Sequence, residues 1–384
     1  MAKKYRFKKT KKGSPDYMLA ALVLVLVVFG LIMVFSASYY YSINTTGSAY
    51  SFLIKDGFYA ATGLVLMVMA AFFDYGRYRA MAWPLLGASL VLLCLLFTPL
   101  GVTINYATRW IGVGGITFMP GEFAKIAVII FVSWFFSRDQ RLILSFSKGI
   151  APMLGLMGIF GFLIMMQPNM STAITVVGII FCIMFMAGMR WIWIISGGSL
   201  GVAAGMLLIF SDQDGYRLKR VTSFMDPFAD RLGEGYQVAQ SLLALGSGGF
   251  FGVGLGKSIQ KNLYLPEPQN DFILAIIGEE LGYIGLLILL IVYVLLIWRG
   301  FHIALNAKDT FGCLMASGIT FMIAIQVIMN VAVATSSMPP TGVTLPFISY
   351  GGNALWLFMG SSGILLNISR HRREEEEEIP EFED

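Results

Sequence analysis

The stretch KSIQKNLYLPEPQNDFILAIIGEELG at 257–282 sets ionisable side chains at the edge of an apolar run. It starts polar with Lys257 and Lys261 and carries Glu267 between two prolines. It enters apolar sequence at Asp271, with Glu279 and Glu280 farther along. Proline disfavours helix, so a loop should give way to a helix near Asp271. A carboxylate at that boundary has two compatible readings. Charge in or beside a membrane segment is expensive and marks function, and Asp is also a favoured helix N-cap. Chemically, Asp271 can take a proton from a hydroxyl. Lys257 and Lys261, with Arg217, Lys219 and Arg220 earlier in the same polar segment, can stabilise charge on a leaving group. Glu267 reads either as a second acid or ligand or as an exposed loop residue. Glu279 and Glu280 fall roughly 12 Å below Asp271 along a helix. That is too deep for direct catalysis, so hydrogen bonds between packed helices are expected of them.

Two further segments offer polar side chains. In GVTINYATRWIGVGGITFMP at 101–120, Arg109 and Trp110 are adjacent. The indole suits an interfacial aromatic belt. An outward-facing Arg beside it can also grip an anionic headgroup or phosphate in a bidentate manner. Glu122 and Lys125 follow, three residues apart on one helix face, and read as a structural ion pair. In SSMPPTGVTLPFISYGGN at 336–353, prolines break the helix. Ser349, Tyr350 and Asn353 then line either a kinked helix end or a polar cavity.

The elements that must position these groups are membrane helices. The 384 residues are 57% hydrophobic and 13% charged, with a mean hydropathy of +0.74, more apolar surface than a soluble protein can bury. Apolar runs are expected as helices near 17–37, 53–73, 81–100, 120–136, 150–166, 171–188, 192–210, 271–298, 310–335 and 345–368. The predicted fold is therefore an all-α polytopic membrane protein of about ten transmembrane helices. A large external loop, 211–270, joins the seventh and eighth. The first run is too long for a signal-peptide core and should be retained.

Short loops decide orientation. Those assigned to the cytoplasm carry Arg77, Arg79, Arg138, Arg141, Lys148, Arg190, Arg299, Lys308, Arg370, Arg372 and Arg373, whereas the short external ones carry little beyond Arg109 and Lys55. By the positive-inside rule both termini are cytoplasmic. The domain plan is a basic arm at 1–16, one helical domain at 17–369 and an acidic tail at 370–384. The arm reads as a solvated topology signal rather than a nucleic-acid binder. The tail, with its glutamate run, reads as solvated like charge. Within the long loop, Val238, Leu242, Leu243 and Leu245 fit a short amphipathic helix, and Ser258 should be exposed. Cys94, Cys182 and Cys313 lie in apolar runs without metal spacing, and His302 and His371 are far apart.

Three strings together resemble the SEDS family (shape, elongation, division and sporulation), the FtsW, RodA and SpoVE proteins. They are TRWIGVGGITFMPGEFAK at 108–125, the run from GEGYQVAQ to GEELG at 233–282, and PPTGVTLPFISYGGN at 339–353. QKNLYLPE is closer to the FtsW and SpoVE wording than to RodA. The resemblance implies a peptidoglycan glycosyltransferase. It would polymerise lipid II at the outer face of the bacterial cytoplasmic membrane with a class B penicillin-binding protein and other division or sporulation proteins. The family's essential aspartate falls on Asp271 and its loop tryptophan on Trp110. The resemblance also suggests Mg2+ or Mn2+; no closed ligand cluster is visible, so an ion would lean on substrate phosphates. One departure stands out: where the family has Q-P-D-L-G-T, this chain has QPNMST, with Asn169 and Ser171. A flippase of lipid-linked precursor and a non-catalytic division scaffold are the competing classes. A carrier should set its polar groups at the midplane with access from both sides, and a scaffold requires no polar external cavity.

Overall fold

The computed structural model describes residues 13–104, 107–113, 116–193, 195–199, 201, 225–229, 233 and 235–371. Most of the basic arm, Arg217, Lys219 and Arg220, most of the expected seventh helix and the acidic tail lie outside the described residues. In chain order the helices and strands are α1 (Tyr17–Thr46), α2 (Ser51–Phe72), α3 (Tyr78–Leu95), β1 (Gly101–Ile104), β2 (Ala107–Val113), β3 (Ile116–Phe118), α4 (Pro120–Arg138), α5 (Ala151–Met165), α6 (Met170–Met186), α7 (Tyr236–Ser247), α8 (Ile273–Leu305), α9 (Thr310–Ala334) and α10 (Gly352–Ser369). Among the described residues seven helices, α1–α5, α8 and α9, are long and apolar enough to cross a membrane, and α6 is a shorter apolar helix.

Local chemistry sets several helix ends. Asp16 caps α1 by accepting the Leu19 N–H at 3.0 Å, and Asp309 caps α9 by accepting the Gly312 N–H at 2.8 Å. α4 opens on Pro120, whose missing N–H costs nothing in the first turn, and Glu122 there complements the helix dipole. The two ends of the helical domain meet. The Asp16 carboxylate pairs with the Arg299 Nε–H at 2.7 Å, its N–H donates to Ser369 Oγ, and the Gly13 N–H donates to the Arg370 carbonyl.

The observed architecture departs from the sequence reading at several element ends, three of which bear on the site. The third helix ends at Leu95 rather than near 100, and the expected loop at 101–118 is a three-stranded antiparallel sheet in the order β1-β2-β3. Thr, Ile, Val and Trp there favour a pleated surface. The last helix begins at Gly352 rather than 345, because the chain runs as turns past Pro346. The eighth helix begins at Ile273 with Phe272 as its cap residue, and no side chain caps it. Asp271 is therefore not an N-cap; it stands two residues ahead of the helix.

α8 is two helices joined at Gly282, whose φ of 68° is left-handed backbone that favours glycine. A break at membrane depth exposes backbone groups that lipid cannot satisfy. The loop at 249–254 supplies them. The N–H groups of Val253 and Gly254 donate to the carbonyls of Glu279 and Glu280, and the N–H groups of Tyr283 and Ile284 donate to the carbonyls of Gly249 and Phe250. The half before the break, 273–280, is buried throughout, whereas several side chains after it are exposed. α7 is the short helix expected within the long loop; it buries Val238, Ala239, Ser241 and Ala244 and leaves Leu243 exposed.

Candidate active site

The three external segments converge on one cavity of about 340 Å3. β2 contributes Arg109 and Trp110, and the loop before α8 contributes Glu267, Asn270 and Asp271. The chain between α9 and α10 contributes the 342–344 segment and Tyr350. Glu122 and Lys125 of α4, Tyr59 of α2, Gln326 of α9 and the first turns of α6 complete the wall. Neighbouring strand residues normally point to opposite faces, yet Arg109 and Trp110 both border the cavity. The register shift at Val102 and Thr103, opposite them on β1, bends the ribbon there.

Asp271 is half-buried, and Arg109 lies close to it. Gly342 marks how tight the site is. A Cβ there would stand 3.3 Å from Asp271 Oδ2 and 3.8 Å from Arg109 Nη1, and its φ of 68° already favours glycine. The Asp271 carboxyl is pushed up from 3.8 to about 6, first by burial and then by the charge of Glu267, against the opposing pull of Arg109. Arg109 is oriented by donating from Nη2 to the Pro168 carbonyl. Burial pushes the Tyr350 phenol up to about 12, with smaller contributions from Tyr59 and Asp56. It remains a hydroxyl at neutral pH.

At the inner wall Lys125, fully buried, donates to Glu122 Oε1 at 2.7 Å and to Gln326 Oε1 at 3.3 Å. The pair is the ion pair its spacing suggests, and it also faces the cavity. The QPNMST turn has a structural use. Asn169 caps α6, its Oδ1 accepting the Thr172 N–H at 3.3 Å and the Ser171 hydroxyl at 3.1 Å.

Three expected substrate contacts fall elsewhere. Lys261 is buried, its ammonium 2.8 Å from Glu280 Oε1 and 3.0 Å from Ser36 Oγ, so it does not face the cavity. Lys257 is exposed outside the cavity. Ser349 is buried; its hydroxyl donates to the Asn270 carbonyl at 2.6 Å and accepts the Leu345 N–H at 2.8 Å. Ser258, expected to be exposed, is also buried, its hydroxyl given to Glu279. Glu279 further accepts the N–H groups of Ile259 and Gln260 and so holds the loop onto α8, whereas Glu280 also accepts the Ser36 hydroxyl of α1, the bond between packed helices expected of it.

Sequence reasoning missed Asn330 and Gln326. They are amides one turn apart in the apolar run of α9, and that spacing is the signal that marks them. It also missed an apolar groove of about 500 Å3 between α2, α3, α4 and α10, lined by Leu66, Met69, Phe73, Phe118 and Trp356 among others. The groove shares Glu122 and Asn353 with the polar cavity. Among the described residues no group of three or more His, Cys, Asp or Glu side chains could hold a metal ion.

A multi-pass helical membrane protein with a carboxylate, a guanidinium and an indole round one polar cavity, opening beside a lipid-sized groove, has the features of an enzyme acting on a membrane-anchored substrate. Residues 16–374 match the model of the FtsW/RodA/SpoVE family, described as cell cycle protein. The chain belongs to that family. It is 42% identical to stage V sporulation protein E of Bacillus subtilis over 95% of this chain and 99% of that one. It is 39% identical to a probable peptidoglycan glycosyltransferase FtsW of Trichlorobacter lovleyi over 92% and 93% of the two chains. Among solved structures, a chain from a peptidoglycan synthase complex that coordinates polymerization and crosslinking superposes with a TM-score of 0.77 at 26% identity, covering 94% of this chain and 99% of that one. The rod shape determining protein RodA of Thermus thermophilus superposes at 0.68 with 27% identity, covering 94% and 98%.

Proposed function

We infer that this chain is a peptidoglycan glycosyltransferase that polymerises lipid II at the outer face of the bacterial cytoplasmic membrane, with Asp271 as the general base. The observation that carries the reading is the placement of Asp271 beside Arg109 in a cavity that adjoins an apolar groove. The groove suits the polyprenyl chain, and the polar cavity suits the pyrophosphate and sugars. Asp271 takes the proton from the acceptor hydroxyl as its oxygen bonds to the anomeric carbon of the donor. The bond from that carbon to pyrophosphate breaks, and the pyrophosphate leaves with the bonding pair. With no covalent intermediate the anomeric configuration inverts. Arg109 stabilises the charge that develops on the leaving group. It takes the part the sequence suggested for Lys261. Trp110 offers a flat face to a sugar or lipid chain.

A divalent ion, Mg2+ or Mn2+, fits only with substrate phosphates completing its shell. Glu267 would supply the protein oxygen, and the ion would offset phosphate charge. The likeness to a subunit of a polymerizing and crosslinking complex supports a class B penicillin-binding protein as partner. Loop charges support cytoplasmic termini, and the meeting of Asp16 with Arg299 and Ser369 supports placing both on one side.

The test is polymerisation of purified lipid II by the purified chain, with and without its partner. Asp271→Asn keeps the shape and loses the basic carboxylate, so the rate should fall about 10²- to 10⁴-fold. Wild-type rates from that variant would remove Asp271 from the chemistry.

A further inference from the structure

The backbone leading into Asp271 is held at three consecutive carbonyls. The Gln269 carbonyl accepts the Tyr350 N–H at 2.9 Å, the Asn270 carbonyl accepts the Ser349 hydroxyl at 2.6 Å, and the Asp271 carbonyl accepts Asn330 Nδ2 at 2.9 Å. None of these donors belongs to the loop itself. Asn330 spends its other N–H on the Val343 carbonyl at 2.7 Å. One amide thus ties the carboxylate's own residue to the residue after Gly342, the close neighbour of both Asp271 and Arg109.

The orientation of that amide is dictated by its surroundings. Both neighbours are carbonyls, so the NH2 must face them. Asn330 is fully buried in α9, an apolar helix where an amide is costly unless it is used. Ser349 is nearly as buried and is used in both directions, towards Leu345 N–H and Asn270 carbonyl.

We propose that Asn330 and Ser349 are positioning residues for Asp271, fixing the backbone from which its carboxylate reaches the acceptor hydroxyl. The proposal rests on the reading of Asp271 as the base. Neither residue touches substrate. Each acts through the carbonyl it holds, at residues 270 and 271, where a rotation of the peptide plane swings the carboxylate directly. A misplacement of about 1 Å costs on the order of 100-fold in rate.

The experiment compares Asn330→Ala, Asn330→Asp and Ser349→Ala with Asp271→Asn and wild type, each purified as the full chain. Initial rates of lipid II polymerisation are measured against substrate concentration and pH. Asn330→Asp is nearly isosteric but sets acceptors against two carbonyls, so it removes the donors without opening a cavity. Asn330→Ala and Asn330→Asp should lower kcat by about 100-fold with KM little changed. Ser349→Ala should give a smaller loss, and Ser349→Thr should recover it.

The pH profile separates positioning from folding. The charged and titratable groups facing Asp271 are Arg109 from β2, Glu267 from its own loop, Glu122 and Lys125 from α4, Tyr59 from α2 and Tyr350. None is altered in Asn330→Ala. Releasing the loop exposes the Asp271 carboxyl, so the acid limb should move down from about 6 towards 3.8. Loss of folded protein would scale the profile without moving it, and that result overturns the proposal. So does wild-type kcat in Asn330→Ala. If neither Asn330 variant can be purified, Ser349→Ala decides by the same two readouts. Activity in Asp271→Asn would sink the base and the clamp together. An inactive Asp271→Asn beside a normal Asn330→Ala would sink the clamp alone.

Discussion

The Lys261 ammonium and the Glu280 carboxylate meet at 2.8 Å in the protein interior, with side-chain exposures of 3% and 0%. Ser36 of α1 completes the cluster by donating to Glu280 Oε1 at 2.7 Å and Oε2 at 2.8 Å. The charge that the sequence offered to a substrate is spent on fastening the external loop to the break in α8. Beside it, Glu279 holds Ser258, Ile259 and Gln260. The loop that bears Asp271 is anchored at this lower end and by Asn330 at the upper end.

Breaking this pair should therefore unfold the loop before the helices. Removal of one partner of a buried pair leaves the other as an uncompensated charge and typically costs about 3–5 kcal/mol. Glu280→Ala should lower the melting temperature in detergent and open 255–265 to proteolysis. The double variant Lys261→Met with Glu280→Gln removes both charges and should recover most of the loss. A Glu280→Ala protein that melts with wild type would show that the pair contributes nothing.

Helices and their order were legible in the sequence because each apolar run is long and sharply bounded; Asp309 and Pro120 even mark two starts. Asp271, Arg109, Trp110 and Tyr350 were legible as polar groups where apolar sequence begins or ends. The fates of Lys257, Lys261 and Ser349 were not. Exposure of a loop residue depends on what packs against it: Lys261 is enclosed by Glu280, 19 residues on, and by Ser36, 225 residues back, and Ser349 bonds a residue 79 positions away. The cap reading of Asp271 failed because the helix start shifted by two residues, the scale on which helix ends vary. The apolar groove was invisible because its lining comes from four separate helices.

Orientation can be read by labelling. In a chain freed of Cys94, Cys182 and Cys313, cysteines at Lys257 and Ile259, both exposed, should react with an impermeant thiol reagent added outside. A cysteine at the buried Ser258 should not, although it lies between them. Cysteines at Gln140 and Asn306, exposed at the opposite end, should react only after permeabilisation. The reverse pattern would invert the topology and take Asp271 away from the outer face.

Acidity should act on rate and stability in opposite senses. The Asp271 carboxyl is held near 6 against an ordinary value of 3.8, chiefly by burial and secondarily by Glu267. A base must be ionised, so kcat/KM should fall as pH drops through about 6, by tenfold per unit below it. For stability the folded chain keeps this proton while the unfolded chain gives it up. Below 3.8 both hold it and the residue contributes nothing adverse. As pH rises from 3.8 to about 6, stability falls; above that the penalty is complete. This reverses the usual carboxylate dependence, because burial rather than pairing dominates here. Asp271→Asn cannot ionise, so at pH 8 it should melt no lower than wild type, and above it if the penalty is expressed in full. The two measurements share one variant: thermal unfolding and lipid II turnover of wild type and Asp271→Asn between pH 4 and 8. An acid limb near 4 would place the carboxylate in water rather than in the cavity. A melting temperature for Asp271→Asn well below wild type at pH 8 would mean that the ionised carboxylate stabilises the fold, and the burial argument would fail with it.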